Sequence, residues 1–270
     1  MNQELLAQFG LSGTLTPISG GDVNQTFRLR SEERQYFLKY HPGVSQQFFQ
    51  AEAAGLAQLR PYVPAVYQYG DNEHGAYLLL EWIDVGEGDQ ESIATALAEI
   101  HRQTSPTFGF EQDNFIGLLP QVNPAAEDWV SFYTTCRLDV QVELAKLGNH
   151  WNPRREDKYL NLKETLYQEW SGRQVQPSLL HGDFWRGNVL FDQKGDPVFI
   201  DPAVSFGDRE LDLAMAQLFG GFRPEFFQRY QQVFPLEKNW QERVPVYQLY
   251  YLLVHLNLFG ESYGNNVDEI

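Results

Sequence analysis

Three polar residues in the second half of the chain, Asp183, Asn188 and Asp201, have the types and the spacing that phosphoryl transfer requires. In that chemistry one carboxylate faces the hydroxyl group that receives the phosphate. An amide oxygen and a second carboxylate hold Mg²⁺ against the phosphates of a nucleotide. We therefore assign Asp183 to the acceptor hydroxyl, and Asn188 and Asp201 to the metal ion.

Two short apolar runs, residues 189–191 and 198–200, are predicted to position the metal-binding pair. The turn-forming sequence QKGD lies between them at residues 193–196. Two strands joined by such a turn form a hairpin, and a hairpin places Asn188 and Asp201 at neighbouring strand ends.

A carboxylate within an apolar helical pattern, Asp212 in residues 210–219, is predicted to support the catalytic loop. A buried carboxylate needs hydrogen-bond donors, and the backbone of the preceding loop can supply them. We assign this structural role to Asp212 and to His181, which lies at the start of the loop.

A lysine that ends an apolar strand, Lys39, is the candidate for binding nucleotide phosphates. A helical pattern follows at residues 46–60, and Glu52 lies among its apolar residues. Taken alone, two such residues are more often surface charges. The cluster at residues 183–201 favours the kinase arrangement, in which a carboxylate on the helix orients the strand lysine. We therefore predict an ion pair between Lys39 and Glu52.

A glycine turn with the sequence SGGDVN occupies residues 19–24, between two predicted strands. Its backbone N–H groups can approach a phosphate without interference from side chains. We assign Ser19, Gly20, Gly21 and Asn24 to the nucleotide, although an ordinary hairpin has the same pattern and no Walker motif follows. Together with Lys39 and the metal pair, the turn predicts ATP and Mg²⁺ as cofactors.

The composition changes at residues 81–88, where an apolar strand gives way to a segment with two glycines. We place a boundary here, between a nucleotide-binding lobe at residues 1–84 and a catalytic and acceptor-binding lobe at residues 85–270. Strand patterns precede the boundary and helical patterns follow it, which predicts an α+β fold. Glu81 and Ile83 are candidates for main-chain contacts with adenine, and an ordinary linker fits the same residues.

An irregular loop at residues 106–117, rich in glycine and aromatic residues, interrupts the helical half of the chain. Loops of this kind in compact domains are commonly functional. We assign Asp113, Asn114 and Phe115 to acceptor binding, with a structural role as an equal alternative. Trp185 and His255 complete the set of acceptor-binding candidates.

Composition limits the partners. The 270 residues carry a formal net charge of -16, which argues against nucleic acid because phosphate backbones need basic surface. The single cysteine excludes an intrachain disulfide. No apolar run has the length of a membrane span, and the first residues lack the features of a signal peptide. We expect a cytoplasmic protein without nucleic-acid or membrane partners.

The sequences HGDFWRGN, FIDPAVSFGDRELDLAM and FGFEQDNFIG together resemble the fructosamine kinase or ketosamine 3-kinase family. This family belongs to the aminoglycoside-phosphotransferase-like branch of the protein-kinase-like fold. The resemblance extends over nearly the whole chain, from residues 19–21 to HLNLFG near the end. It implies a two-lobed fold with an N-terminal antiparallel sheet lobe, which carries one main helix, and a larger, mostly helical C-terminal lobe.

The resemblance also implies an activity, ATP-dependent phosphorylation of the third-carbon hydroxyl of a ketosamine. The substrate is the sugar adduct on a protein lysine or a free amine, and the unstable product releases the amine. The catalytic carboxylate would be Asp183, the Mg²⁺ ligands Asn188 and Asp201, and the phosphate-binding lysine Lys39.

Two alternatives remain open at this point. The same acidic and aromatic features would suit choline, an aminoglycoside or another amino alcohol as acceptor. A kinase-like binding protein without transfer activity is the more distant alternative, and the presence of Lys39, Asp183, Asn188 and Asp201 argues against it.

Overall fold

The computed structural model describes residues 6–7, 10–18, 24–32 and 34–270. The chain divides into two compact units. The N-terminal unit comprises Met1–Asp89 and Asn188–Pro202, and the C-terminal unit comprises Gln90–Gly187 and Ala203–Ile270. Residues 188–202 thus belong with a part of the chain that is distant from them in sequence.

Within the described residues, the N-terminal unit contains a five-stranded antiparallel sheet with the order β1-β2-β3-β5-β4. Its strands are β1 (Thr14–Pro17), β2 (Gln25–Arg30), β3 (Gln35–Pro42), β4 (Val66–Asn72) and β5 (Gly75–Glu81). Strand β5 lies between two neighbours, and residues 76–80 are all buried. Their continuous apolar sequence, AYLLL, is typical of a strand covered on both faces.

The helix α1 (Gln46–Gln58) contacts β4 and β5 and buries Phe49 and Leu56. Successive side chains of a strand point to opposite faces of the sheet. On β3, Leu38 joins an apolar cluster that includes Phe27. The next residue, Lys39, therefore points to the other face, where it meets a side chain of α1.

The predicted hairpin is confirmed by the strands β9 (Val189–Phe191) and β10 (Pro197–Phe199), which pair antiparallel in the N-terminal unit. Residues 82–89 pack against this hairpin, and the N–H of Gly86 donates to Phe191 O at 2.8 Å. A Cβ atom at Gly86 would lie 2.2 Å from Asp192 O, so only glycine permits this approach.

The C-terminal unit is mostly helical. Its helices are α2 (Gln90–His101), α3 (Trp129–Tyr133), α4 (Asp139–Leu147), α5 (Pro153–Glu169), α6 (Glu210–Leu218), α7 (Pro224–Val233), α8 (Trp240–Phe259) and α9 (Gly264–Glu269). A π-helical turn, Thr134–Leu138, joins α3 to α4. Short antiparallel pairs link β6 (Asn114–Ile116) with β7 (Leu119–Gln121), and β8 (Ser178–Leu180) with β11 (Ser205–Gly207).

Aromatic rings form the centre of this unit's core around α8, which is buried on most of its circumference. Tyr247 of α8 lies 5.2 Å from Tyr133 and 5.1 Å from Trp170 between ring centroids, and Trp129 lies 5.5 Å from Tyr133. A helix that is apolar on all sides must be covered by neighbours. Trp129 and Tyr133 are therefore core residues.

The α+β prediction is confirmed, with the sheet and α1 in the N-terminal unit and the helices α2 to α9 in the C-terminal unit. Among the helices of the described residues, none is long and apolar enough to cross a bilayer.

Candidate active site

Lys39 on β3 is held by two carboxylates of the N-terminal unit. Its Nζ lies 2.6 Å from Oε1 of Glu52 on α1 and also contacts Oδ1 of Asp201. The lysine is only 4% exposed. Burial lowers the pKa of Lys39, but Asp201 and Glu52 outweigh burial, so the pKa of the ammonium group lies above its ordinary value. Lys39 is therefore a fixed cation at neutral pH, paired with Glu52 as the sequence pattern predicts.

Burial also affects Glu52. It raises the pKa of this carboxyl group, and Lys39 offsets part of the effect. An ion pair that is removed from water depends on both partners, because an uncompensated buried charge is strongly destabilising.

The hairpin β9–β10 positions Asn188 and Asp201. The N–H of Ile200 donates to Asn188 O at 3.0 Å, so the residues before β9 and after β10 are neighbours. Asp201 has a φ of 56°, a left-handed conformation that aspartate adopts more readily than most non-glycine residues. This turn takes the chain out of the strand direction immediately after β10.

The donor set of this hairpin suits Mg²⁺ bound together with a nucleotide. Within the described residues, no three His, Cys, Asp or Glu side chains are grouped to hold a metal ion by themselves. Mg²⁺ commonly takes one or two protein carboxylates and completes its shell with phosphate oxygens and water. One carboxylate, Asp201, and one amide, Asn188, fit that pattern.

The predicted phosphate-binding turn is described only in part. Ser19, Gly20 and Gly21 lie outside the described residues. The strands on either side are joined by Thr26 Oγ1, which donates to Ile18 O at 3.0 Å. Asn24 is half-buried, and its Oδ1 is buried without a hydrogen-bond partner in the described part of the chain.

At the predicted adenine-binding segment, the N–H of Glu81 donates to Ala65 O at 2.8 Å. This donor is therefore used inside the N-terminal unit, and only the carbonyl of Glu81 remains a candidate for a base contact. Ile83 lies half-buried in the irregular segment that follows. Both contacts stay predictions.

In the C-terminal unit, a buried carboxylate holds the backbone of residues 181–183, here called the 181–183 loop. Asp212 on α6 accepts from the N–H of His181 at 2.7 Å and from the N–H of Gly182 at 2.9 Å. The N–H of Asp183 donates to His181 Nδ1 at 3.3 Å. These are the contacts expected of residues that support the loop, and the catalytic role of Asp183 stays a prediction.

The last residue of α2, His101, takes part in the same support. His101 is fully buried, and its Nε2 lies 3.1 Å from Asp212 Oδ2 while its Nδ1 lies 2.7 Å from the hydroxyl of Tyr230. The hydroxyl of Tyr230 accepts from Arg209 at 3.1 Å, and its own proton is available to Nδ1 when the ring of His101 is neutral and protonated at Nε2. Burial lowers the pKa of His101, and the neutral ring therefore donates from Nε2 to Asp212.

The structure groups two acceptor-binding candidates through a shared aromatic neighbour. Trp185 is 39% exposed and meets Phe219 edge-on, with 6.5 Å between ring centroids. Phe219 lies 4.7 Å from His255. Burial lowers the pKa of His255, and Nδ1 lies 2.8 Å from Tyr251 O, so a neutral ring keeps Nε2 as an acceptor. Gly187 permits the position of Trp185, because a Cβ atom there would lie 2.2 Å from the indole.

The other acceptor candidates lie at the strand pair β6–β7. Asn114 is 5% exposed and donates to Val204 O at 2.7 Å. Asp113 is exposed and accepts from the N–H of Asn123 at 2.7 Å. Phe115 is half-buried. The side chain of Asn114 is thus used inside the unit, and contacts of all three with an acceptor stay predictions.

The predicted residues therefore form two groups. The N-terminal unit brings together Lys39, Glu52 and Asp201, and the C-terminal unit brings together Asp183, His181 and Asp212. The predicted convergence of Asp183 with Asn188 and Asp201 on one metal ion stays a prediction.

Comparison with known proteins identifies relatives along the whole chain. The model of the family described as fructosamine kinase matches residues 2–270. A "Probable ketoamine kinase" of Enterococcus faecium is 54% identical, and the match covers 99% of this chain and 98% of that protein. A chloroplastic "Protein-ribulosamine 3-kinase" of Arabidopsis thaliana is 33% identical, over 94% of this chain and 80% of that protein.

Solved structures agree in fold. The crystal structure of a "putative fructosamine-3-kinase" from Thermobifida fusca matches with a TM-score of 0.86 and 29% identity, over 100% of this chain and 96% of the other. The choline kinase LicA of Streptococcus pneumoniae matches with a TM-score of 0.66 and 17% identity, over 99% and 95% of the two chains. At that identity the likeness shows the fold alone, and the predicted kinase-like fold is confirmed.

Proposed function

The chain belongs to the fructosamine kinase family, and from this premise we propose that it transfers a phosphate from ATP to the third-carbon hydroxyl of ketosamines. The substrates are ribulosamine and fructosamine adducts on protein lysines or free amines. Phosphorylation at this carbon makes the adduct unstable, so the amine is released and glycation is reversed. The family match over nearly the whole chain is the observation that carries the proposal.

The N-terminal unit supplies the nucleotide side of the reaction. Lys39, held by Glu52, binds phosphate oxygens, and the turn at residues 19–24, which ends at Asn24, contributes backbone N–H groups. The carbonyl of Glu81 and the main chain of Ile83 are assigned to adenine. Lys39 supports this role because its charge is fixed by two carboxylates.

Asn188 and Asp201 would hold Mg²⁺, which would neutralise part of the charge of the nucleotide phosphates. The hydrogen bond from the N–H of Ile200 to Asn188 O supports this role, because it keeps the residues before β9 and after β10 together. We also propose that residues 1–84 form the nucleotide-binding lobe and residues 85–270 the acceptor-binding lobe.

Asp183 is the catalytic residue of the proposal. Its carboxylate accepts or orients the proton of the acceptor hydroxyl, so that the oxygen is aligned with the phosphorus. Phosphoryl transfer depends mainly on positioning and charge, and a small displacement of the base is costly. The hydrogen bonds of Asp212 to the loop backbone support this role, because they leave the 181–183 loop little freedom.

The acceptor would lie against aromatic rings that are exposed or half-buried. A ketosamine carries a polyol and an amine that is cationic near neutral pH, and aromatic faces attract cations. Trp185, Phe115 and the neutral ring of His255 offer such surfaces, and Asp113 offers a carboxylate. The net charge of -16 favours a cationic substrate over an anionic one.

The test measures ATP consumption with ribulosyl-lysine and with fructosyl-lysine in the presence of Mg²⁺, followed by release of free lysine. We expect turnover of at least one ketosamine by the native chain and none by Asp183→Asn, which keeps the shape of the side chain but removes the base. Native-like nucleotide binding by this variant shows that its fold is intact.

Two outcomes would overturn the assignment. Turnover of choline or an aminoglycoside without turnover of either ketosamine would favour another kinase of the same branch. Nucleotide binding without transfer to any acceptor would favour a kinase-like binding protein.

A further inference from the structure

Arg137 is a buried cation for which the described residues provide no carboxylate partner. Its side chain is 1% exposed, and the guanidinium donates to Val122 O at 2.7 Å, Cys136 O at 3.1 Å and Asn123 Oδ1 at 2.7 Å. Burial lowers the pKa of Arg137, yet an arginine stays protonated in proteins. Neutral acceptors compensate a buried charge only in part, so an apolar side chain would be less costly here.

The guanidinium fixes the orientation of two buried amides. Since arginine can only donate, Asn123 must present Oδ1 to it, which turns Asn123 Nδ2 toward Asn114 Oδ1 at 2.9 Å. Asn114 then presents Nδ2 to Val204 O at 2.7 Å. Each amide accepts on the side of Arg137 and donates on the other side. Hydrogen bonds aligned in one direction polarise and strengthen one another.

Gln121 extends this arrangement from Val204 to Ala203, the residue before it. Its Nε2 donates to Asn114 Oδ1 at 2.8 Å and to Ala203 O at 3.0 Å, and its Oε1 accepts from the hydroxyl of Tyr250 at 2.8 Å. Burial raises the pKa of Tyr250 to about 12, so the hydroxyl keeps the proton that it donates. The carbonyl groups of residues 203 and 204 are therefore both held by side-chain amides.

Residues 203–204 in turn hold the 181–183 loop. The N–H of Ala203 donates to His181 O at 2.8 Å. Gly182, with a φ of +85°, lies so close that a Cβ atom would be 1.9 Å from Ala203 O. The hydroxyl of Tyr251 donates to Gly182 O at 3.0 Å. A displacement of Ala203 must therefore displace the backbone next to Asp183.

We propose that Arg137 is a positioning residue for Asp183. By fixing the direction of the hydrogen bonds from Asn123 through Asn114, it holds residues 203–204 and, through them, the 181–183 loop. Its place in the π-helical turn Thr134–Leu138 agrees with such a role, since π-turns within α-helices are frequent at functional sites. The kinetic consequence rests on the proposed phosphotransfer, whereas the structural consequence does not.

The first experiment compares Arg137→Met, Asn114→Leu and the double variant in the ketosamine kinase assay. A displaced catalytic group lowers the rate by up to about 100-fold, so each single variant should lose on the order of 10- to 100-fold in kcat. The KM for ATP should stay within about threefold of the native value, because the residues that we propose bind the nucleotide belong to the N-terminal unit and not to this hydrogen-bond chain. Arg137→Lys, which keeps the charge but has fewer donors, should restore part of kcat.

The loss of kcat in the double variant shows whether Arg137 and Asn114 act through one chain of contacts or independently. Arg137 and Asn114 are joined through Asn123, so breaking the chain twice should cost no more than the worse single break. Multiplied losses would overturn the proposal, as would native kcat in Arg137→Met. Arg154→Met, the same change at an exposed arginine, is the control and should retain the native kcat.

The second experiment measures hydrogen exchange by mass spectrometry in the native chain and in Arg137→Met, or in Arg137→Lys if the first variant does not fold. Faster exchange is expected in peptides that contain residues 181–184 and 203–206, with unchanged exchange in α5. Native exchange in both segments would overturn the proposal. If the native chain phosphorylates no ketosamine, the proposed function fails, and this exchange measurement still decides the role of Arg137.

Discussion

Replacement of Asp212 by asparagine tests whether a buried carboxylate holds the 181–183 loop. Asp212 is 0% exposed and accepts from the backbone N–H groups of His181 and Gly182, at 2.7 Å and 2.9 Å, and from His101 Nε2 at 3.1 Å. An asparagine has one oxygen in place of two, and its NH₂ group must face at least one of these donors. The substitution therefore replaces one hydrogen bond to the carboxylate by an unfavourable contact between the NH₂ group of the asparagine and an N–H donor.

The size of the effect follows from these contacts. Hydrogen bonds to charged groups contribute about 1.5–3 kcal/mol each, and a buried donor left unsatisfied costs about 1–3 kcal/mol. Weakening of the remaining bonds together with one unsatisfied donor gives an expected loss of about 3–5 kcal/mol in the free energy of unfolding. Domains are typically stable by about 5–15 kcal/mol, so Asp212→Asn should unfold far more readily than the native chain.

The assay is urea unfolding followed by circular dichroism, and thermal unfolding should show a decrease in Tm of about 10 °C. Asp128→Asn is the matched control. Asp128 is exposed and caps α3 by accepting from the N–H of Ser131 at 2.7 Å. Asparagine caps helices as well as aspartate does, so the control should change stability by less than about 0.5 kcal/mol. A loss below about 1 kcal/mol in Asp212→Asn would refute the reasoning.

Three further predictions concern other contacts. Lys39→Met should weaken ATP binding at least about tenfold in calorimetry, because it removes the cation that we propose binds the phosphates. Gly88→Ala should lower the free energy of unfolding by about 1–3 kcal/mol in urea, since a Cβ atom would lie 2.2 Å from the ring of Phe191. Hydrogen bonds from Arg155 lower the pKa of Glu261 in the folded chain. The pair therefore stabilises the fold fully above pH 4.5, the ordinary pKa of glutamate, and this stabilisation is lost as the pH falls through the lowered pKa. Arg155 lowers the pKa of Asp268 in the same way. Arg155→Gln should therefore reduce the loss of stability between pH 5 and pH 3, by no more than about 1 kcal/mol for each pair because both carboxylates are partly exposed, as measured by unfolding across that range.

Local patterns in the sequence were sufficient to predict the elements that carry the N-terminal cluster. A polar turn between two short apolar runs predicted the hairpin β9–β10, and the structure has it. A lysine at the end of an apolar strand and an acidic residue inside an amphipathic helix predicted the pair of Lys39 and Glu52. The hairpin needed only the periodicity of strands and a turn signal, whereas the pairing of Lys39 with Glu52 also needed the kinase arrangement that residues 183–201 indicate.

Contacts between residues distant in sequence could not be predicted in the same way. The pair of Lys39 with Asp201 joins residues 162 positions apart, and no local pattern indicates it. His101 had the sequence context of a helix end, and only the fold brings it to Tyr230 and Asp212. Arg137 shows the same limit, because its burial depends on a π-helical turn that helical periodicity does not reveal.

The loop at residues 106–117 shows why a recognised motif does not by itself assign a contact. Asp113 and Asn114 are adjacent in the motif, yet Asp113 is exposed and Asn114 is 5% exposed, with Oδ1 accepting from both Gln121 and Asn123. For the side chain of Asn114 to bind an acceptor, it would have to break these hydrogen bonds and the one that it donates to Val204 O. A change at Asn114 should therefore affect every acceptor alike, whereas a change at Asp113 can distinguish cationic from neutral acceptors. We therefore expect the choice of acceptor to depend on exposed residues such as Asp113, and phosphorylation of any acceptor to depend on the buried amides.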